Sequence, residues 1–180
     1  GSGTRTLTID NATLDLSSPG ASLSMKGDNY TRYKVTVTNG GVLRVGEYTY
    51  NGAGLGSMAV NTGYWTLNNG RLEITKESDG TFGNGLTVAA GGGAVEVVNA
   101  GSTMSITADD THNIQLNGAL TITGAGNMIT GSDNAFRGTG RLIKDGSGTL
   151  TLANSSSFTG GVELKGGTLI VSHASGMGTN

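Results

Sequence analysis

The chain of 180 residues carries 33 glycines, one proline and no cysteine, with 13% charged residues and a formal net charge of −2. That length can bury a substantial core, and glycine without proline or a Gly-X-Y period excludes collagen. The weak, balanced charge offers nothing to nucleic acid or an anionic membrane, and no run approaches the eighteen or so apolar residues of a membrane span.

No signal peptide opens the chain. Gly1-Ser2-Gly3 reads as a cloning remnant, so residues 4–180 are expected to form one domain excised from a longer protein. From Thr4 the pattern is strand, turn, strand: Thr4–Ile9, Thr13–Leu16 and Ser22–Met25, with turns at Asp10-Asn11 and Pro19-Gly20. Arg32–Thr38 is a longer run of good β-formers, followed by Asn39-Gly40 and Val42–Val45. Asn-Gly recurs at 51–52, 69–70, 84–85 and 117–118, marking sharp corners. Residues 47–69 are the least regular part. Beyond them come Arg71–Ile74, Leu86–Val88, Val95–Val97, Met104–Ile106, Ile114–Leu116 and Leu120–Ile122. No helical period is sustained anywhere, which makes the fold all-β.

Hairpins and a coil of three short strands per turn both fit that spacing. The stretch 138–178 decides between them. Its runs Gly148–Leu152, Gly161–Leu164 and Gly167–Val171 alternate apolar with polar, each starting at a glycine. Leu150 recurs as Leu169 after 19 residues, and Leu142 as Val162 after 20. A unit too small to bury its own apolar face, repeated at that period, predicts a solenoid. The expected fold is a right-handed parallel β-helix of about eight or nine rungs, a rod of roughly 40 Å at the spacing of paired strands.

The same stretch carries a family signature. Gly138, Gly140, Leu142, Lys144, Gly146 and Gly148-Thr-Leu-Thr-Leu152 lead to Asn154 and Phe158-Thr-Gly160-Gly161, then Gly166-Gly167-Thr-Leu169, Val171 and Gly178. This order resembles the passenger-associated transport repeat of bacterial autotransporters, the type V secretion systems, over 138–179. The resemblance implies export through an outer-membrane β-barrel translocator to the surface of a Gram-negative cell. It also implies a repeat that aids secretion and folding, with Leu142, Gly148, Leu150, Leu152, Phe158, Gly160, Gly161, Val162, Leu164, Gly167, Leu169 and Val171 as its folding motif. Absence of cysteine suits export through an oxidising compartment, where a premature disulfide would block threading.

Enzyme chemistry finds little support. Asp109, Asp110 and His112, with Arg141 and Lys144 downstream, are superficially similar to the acid–base sites of pectin-degrading β-helix hydrolases. Adjacent strand residues point to opposite faces, however, and no third carboxylate stands in a neighbouring motif. Gly146-Ser147-Gly148 sits after an acidic residue, but only His112 and His173 could serve as a base for Ser147. Gly131-Ser-Asp-Asn134 stands alone as a calcium-loop fragment, and no metal-ligand cluster is seen. The expectation is a non-enzyme without cofactor or metal.

Six of nine aromatic residues fall between positions 30 and 65: Tyr30, Tyr33, Tyr48, Tyr50, Tyr64 and Trp65, with Arg32, Lys34 and Arg44 among them. Tyr, Trp and Arg are enriched at binding hot spots, whereas tyrosines also serve as apolar cover over exposed strands. The cluster predicts contact with a host matrix protein or glycan, on a rigid adhesin stalk. Self-association with another copy is the alternative, and a surface polysaccharide-degrading enzyme a weaker one.

Overall fold

A computed structural model describes residues 4–18, 32–46, 64–82, 85–107 and 113–179. Nineteen strands and no helix occur among them: β1 (Thr4–Asp10), β2 (Thr13–Leu16), β3 (Arg32–Thr38), β4 (Val42–Val45), β5 (Tyr64–Asn68), β6 (Gly70–Ile74), β7 (Gly80–Phe82), β8 (Leu86–Val88), β9 (Gly93–Val97) and β10 (Thr103–Ile106). The rest are β11 (Ile114–Leu116), β12 (Leu120–Gly124), β13 (Asn127–Thr130), β14 (Phe136–Gly138), β15 (Leu142–Lys144), β16 (Thr149–Leu152), β17 (Ser157–Phe158), β18 (Val162–Leu164) and β19 (Thr168–Val171).

Sheet one runs β1-β3-β5-β8-β11-β14-β17, sheet two β2-β4-β6-β9-β12-β15-β18, and sheet three β7-β10-β13-β16-β19. Every pairing is parallel. Parallel neighbours need a long crossover, and here the other two faces of the same turn supply it. The chain is therefore a three-faced β-solenoid.

Five turns have a described strand on all three faces, from β5-β6-β7 to β17-β18-β19. Before them β1-β2 and β3-β4 contribute two faces each. The expected eight or nine rungs are thus too many, because the 19–20-residue period of the C-terminal end is the shortest in the chain. Lys34 pairs with Tyr64, a step of 30, and Leu86 with Ile114, a step of 28. Arg137 pairs with Ser157 after 20, and Leu150 with Leu169 after 19. The longer turns spend their extra residues in the segments that follow sheet two or sheet three. Seven strand layers span roughly 30 Å.

Strand alternation decides what lies inside. Along sheet two an aliphatic ladder climbs from Leu14 through Leu43, Leu72, Val95 and Ile122, reaches Lys144, and ends at Leu164. Sheet one contributes Val35, Trp65, Leu86, Ile114 and Phe136, all buried. Sheet three adds Met104, Met128 and Leu150. Phe136 and Phe158 meet edge to face at 6.2 Å and 77°, the geometry the ring quadrupole favours.

The corner between sheets one and two is tight. Asn11, Asn39 and Asn69 occupy it in the first three turns with φ of 46, 50 and 59°, a region that Asn tolerates better than other side chains. Ser102 and Thr130, both buried, cap main-chain groups across turns. Ser102 Oγ donates to the Lys76 carbonyl at 2.5 Å. Thr130 Oγ1 accepts the Ala153 and Asn154 amides at 2.8 and 3.1 Å.

Candidate functional sites

Outward residues at equal register stand about 4.8 Å apart on successive turns, close enough for ion pairing. On sheet two Asp15, Arg44, Glu73 and Glu96 are such partners. Arg44 bonds Asp15 at 2.8 Å on one side and Glu73 at 2.6 Å on the other. Arg71, one position over, bonds Glu96 at 2.7 Å and approaches Glu73 at 3.9 Å. The result is an alternating chain of five charges across four turns. The Ser17 hydroxyl and amide, then Arg44, pull the Asp15 carboxyl down to about 2. Asp15 and Glu73 raise the Arg44 guanidinium in turn. Beside this ladder lies an open groove of about 460 Å³, floored by the glycine-rich corner at Gly40, Asn69 and Gly92 and walled by Arg71 and Thr121.

None of these acidic residues was singled out as a site residue from sequence. A signal existed: Leu14-Asp15-Leu16, Leu43-Arg44-Val45 and Leu72-Glu73-Ile74 repeat at a constant step of 29.

The aromatic cluster is only partly in view. Tyr30, Tyr48 and Tyr50 lie outside the described residues. Arg32 and Tyr33 belong to β3 and Tyr64 to β5, where Tyr64 pairs in register with Lys34. Lys34 is exposed on sheet one. Arg44 stands on sheet two within the ion-pair ladder. Trp65 points into the core with 3% of its surface exposed, so its indole covers the interior, not a ligand.

Asp109, Asp110 and His112 also fall outside the described residues. Ser147 is exposed in the corner between β15 and β16. His173 Nδ1 accepts the Ser175 amide at 3.1 Å, capping its own turn. The Ser155 hydroxyl donates directly to Asp133 at 2.7 Å, a bond that, with the Ser155 amide, lowers the Asp133 carboxyl. A nucleophile needs a base in that place. No group of three metal-ligating side chains occurs among the described residues.

The transport-repeat residues fill the last two turns. Leu142, Leu150, Leu152 and Phe158 are wholly buried. Val162, Leu164, Leu169 and Val171 occupy the matching inward positions one turn later. With no described strand beyond them, Leu164 and Val171 are 54% and 42% exposed. Gly148 lies flat against the previous turn: a Cβ there would meet the Gly126 carbonyl oxygen at 1.8 Å. Gly160 and Gly161 form the corner between β17 and β18, where Gly161 has φ +75°.

The passenger-associated-transport-repeat family model matches residues 142–171. Over 150 residues, 82% of the chain, the sequence is 34% identical to the Adhesin BmaC autotransporter of Brucella suis biovar 1 (strain 1330). The chain is a segment of an autotransporter passenger domain. It spans about 4% of that relative's length. No solved structure matches it. Autotransporter passenger domains are exported to the cell surface through the outer membrane. In this passenger segment the repeat model covers β15 to β19, all but the first strand of the last two turns.

Proposed function

We propose that this passenger segment is a rigid adhesive stalk without enzymatic activity, displayed outside the cell and bearing contacts for a host matrix protein or glycan. The observation that carries the reading is its similarity, over most of its length, to a protein named an adhesin. The physical character of the surface supports it. A solenoid is stiff because each turn is paired on all its faces to the next. Its outward positions in sheet two present charged and hydroxyl side chains in regular rows.

The proposed contact residues are Tyr30, Arg32, Tyr33, Lys34, Arg44, Tyr48, Tyr50 and Tyr64. Trp65 takes no part, being core. Self-association is the second reading. The charges along sheet two already satisfy one another within one copy, so pairing with another copy gains little from them. The C-terminal repeat serves secretion: once its turns fold outside the cell they present open strand edges on which further turns assemble, and the outer-membrane barrel is the partner through which the chain passes.

The test is adherence of bacteria displaying the passenger with Tyr48→Ser and Tyr50→Ser, at surface levels matched by antibody labelling. Loss of adherence to matrix or glycan supports the assignment. Undiminished adherence removes the contact region from these tyrosines.

A further inference from the structure

Lys144 is the one charged side chain buried among the described residues, 1% exposed. It interrupts an otherwise aliphatic ladder on sheet two, between Ile122 and Leu164. Burying an ammonium is costly unless its donors are satisfied. Here Nζ donates to the main-chain carbonyls of Asp145, of Gly146 at 3.1 Å and of Gly166 at 3.5 Å. The Asp145 carboxylate is turned to the Gly146 amide at 2.8 Å. Two of the three acceptors belong to the corner that closes the turn of Lys144 itself, and the third to the corner of the next turn. Gly167 closes over the ammonium: with φ +70°, a Cβ there would stand 2.8 Å from Nζ and 2.3 Å from the Gly146 oxygen. Desolvation lowers the Lys144 pKa, as such enclosure requires.

The hydrophobic pattern of these two turns leaves one ambiguity. Thr149-Leu-Thr-Leu152 lies on Thr168-Leu-Ile-Val171, and Leu142-Ile-Lys144 on Val162-Glu-Leu164. Sliding one turn by two residues keeps the same side chains inward and the same side chains outward, since the strand period is two. The slide would carry the Gly166 carbonyl about 7 Å away and leave one N–H of a buried ammonium without an acceptor. We propose that Lys144 is a register key: its buried ammonium, bridging corner carbonyls of consecutive turns, selects the one alignment in which the last turn docks on the turn before it. This goes beyond the adhesive reading and does not depend on it.

The chain has no cysteine, so disulfide trapping reads the register directly. Thr151 and Ile170 are register partners, and Thr151→Cys with Ile170→Cys reports the native alignment. Thr151→Cys with Thr168→Cys reports a two-residue slip, because in the native alignment this diagonal pair is about 8 Å apart, beyond disulfide reach. Thr149→Cys with Ile170→Cys reports the opposite slip. Each pair is refolded from urea in a glutathione buffer, with and without Lys144→Met, and the bridged fraction is measured by mass spectrometry. The emission of Trp65, the single tryptophan, reports folding of the distant turns. With Lys144 only the native pair bridges. With Lys144→Met the expected result is native Trp65 emission and a rise of about tenfold in a slipped bridge, the size that one lost buried hydrogen bond produces. An unchanged ratio of native to slipped bridging overturns the proposal. So does loss of all bridging, whether Trp65 emission stays native or not, since the ammonium would then be supporting stability and not alignment.

Discussion

Leu150 and Leu164 occupy equivalent positions of the strand alternation in the transport repeat, yet the structure gives them different weights. Leu150 is wholly buried in sheet three, between Met128 below and Leu169 above. Truncation to alanine there removes the transfer energy of the side chain and leaves a cavity between paired turns, at a cost of about 2–5 kcal/mol. Leu164 lies in the last described turn and is 54% exposed. Only half of a leucine's burial energy is at stake, roughly 1 kcal/mol, and no enclosed cavity forms. Urea unfolding of the two single variants, followed by far-ultraviolet circular dichroism, separates the cases. The midpoint should fall clearly for Leu150→Ala and little for Leu164→Ala. Equal losses would refute the reasoning, because they would mean that the last turn is covered in solution.

Other outcomes follow from the same contacts. Gly148→Ala should cost about 2 kcal/mol, since its Cβ would overlap the Gly126 oxygen, while Ser147→Ala in the exposed corner beside it should be silent in the same melt. Arg44→Ala should lower the melting temperature slightly at low ionic strength and by less in 1 M salt, because salt screens its pair with the exposed Asp15 more than its part-buried bond to Glu73. Asp15 has a native pKa of about 2 against 3.8 for the free side chain. Its contribution is therefore present above pH 3.8 and lost as pH falls toward 2, and Asp15→Asn should flatten the acid limb of a pH–stability profile over that window. Lys144 follows the same arithmetic at alkaline pH: its native pKa lies below 10.5, so between the folded and unfolded values the unfolded chain binds more protons and stability rises with pH. Comparing alkaline melts with those of Lys144→Met should isolate that rise. Replacing Leu150 and Leu169 with aspartate should abolish surface display of the passenger, as detected by antibody on intact cells.

The all-β class and the solenoid were legible because strand alternation and a fixed recurrence are local signals, strongest where the turns are shortest. The rung count went astray for the same reason. Leu150 and Leu169 lie 19 apart, but Lys34 and Tyr64 lie 30 apart, and loops of variable length hide a period from any fixed window. The constant step of 29 from Asp15 to Arg44 to Glu73 shows that part of the long-turn register was nevertheless present in the letters. Trp65 shows what composition alone cannot separate. An aromatic at the start of a strand reads equally as hot spot and as core, and only its register with Val35 and Leu86 places it inside. The Lys144 cage was illegible because its acceptors are main-chain oxygens, which every residue carries.

The central claim, that this passenger segment adheres, is tested most directly by binding of the purified chain to an array of matrix proteins and glycans, with light scattering on the same sample. Saturable binding by a monomer is the result expected. A stable monomer that binds nothing on the array would contradict the claim and leave the segment a stalk whose work is folding and reach.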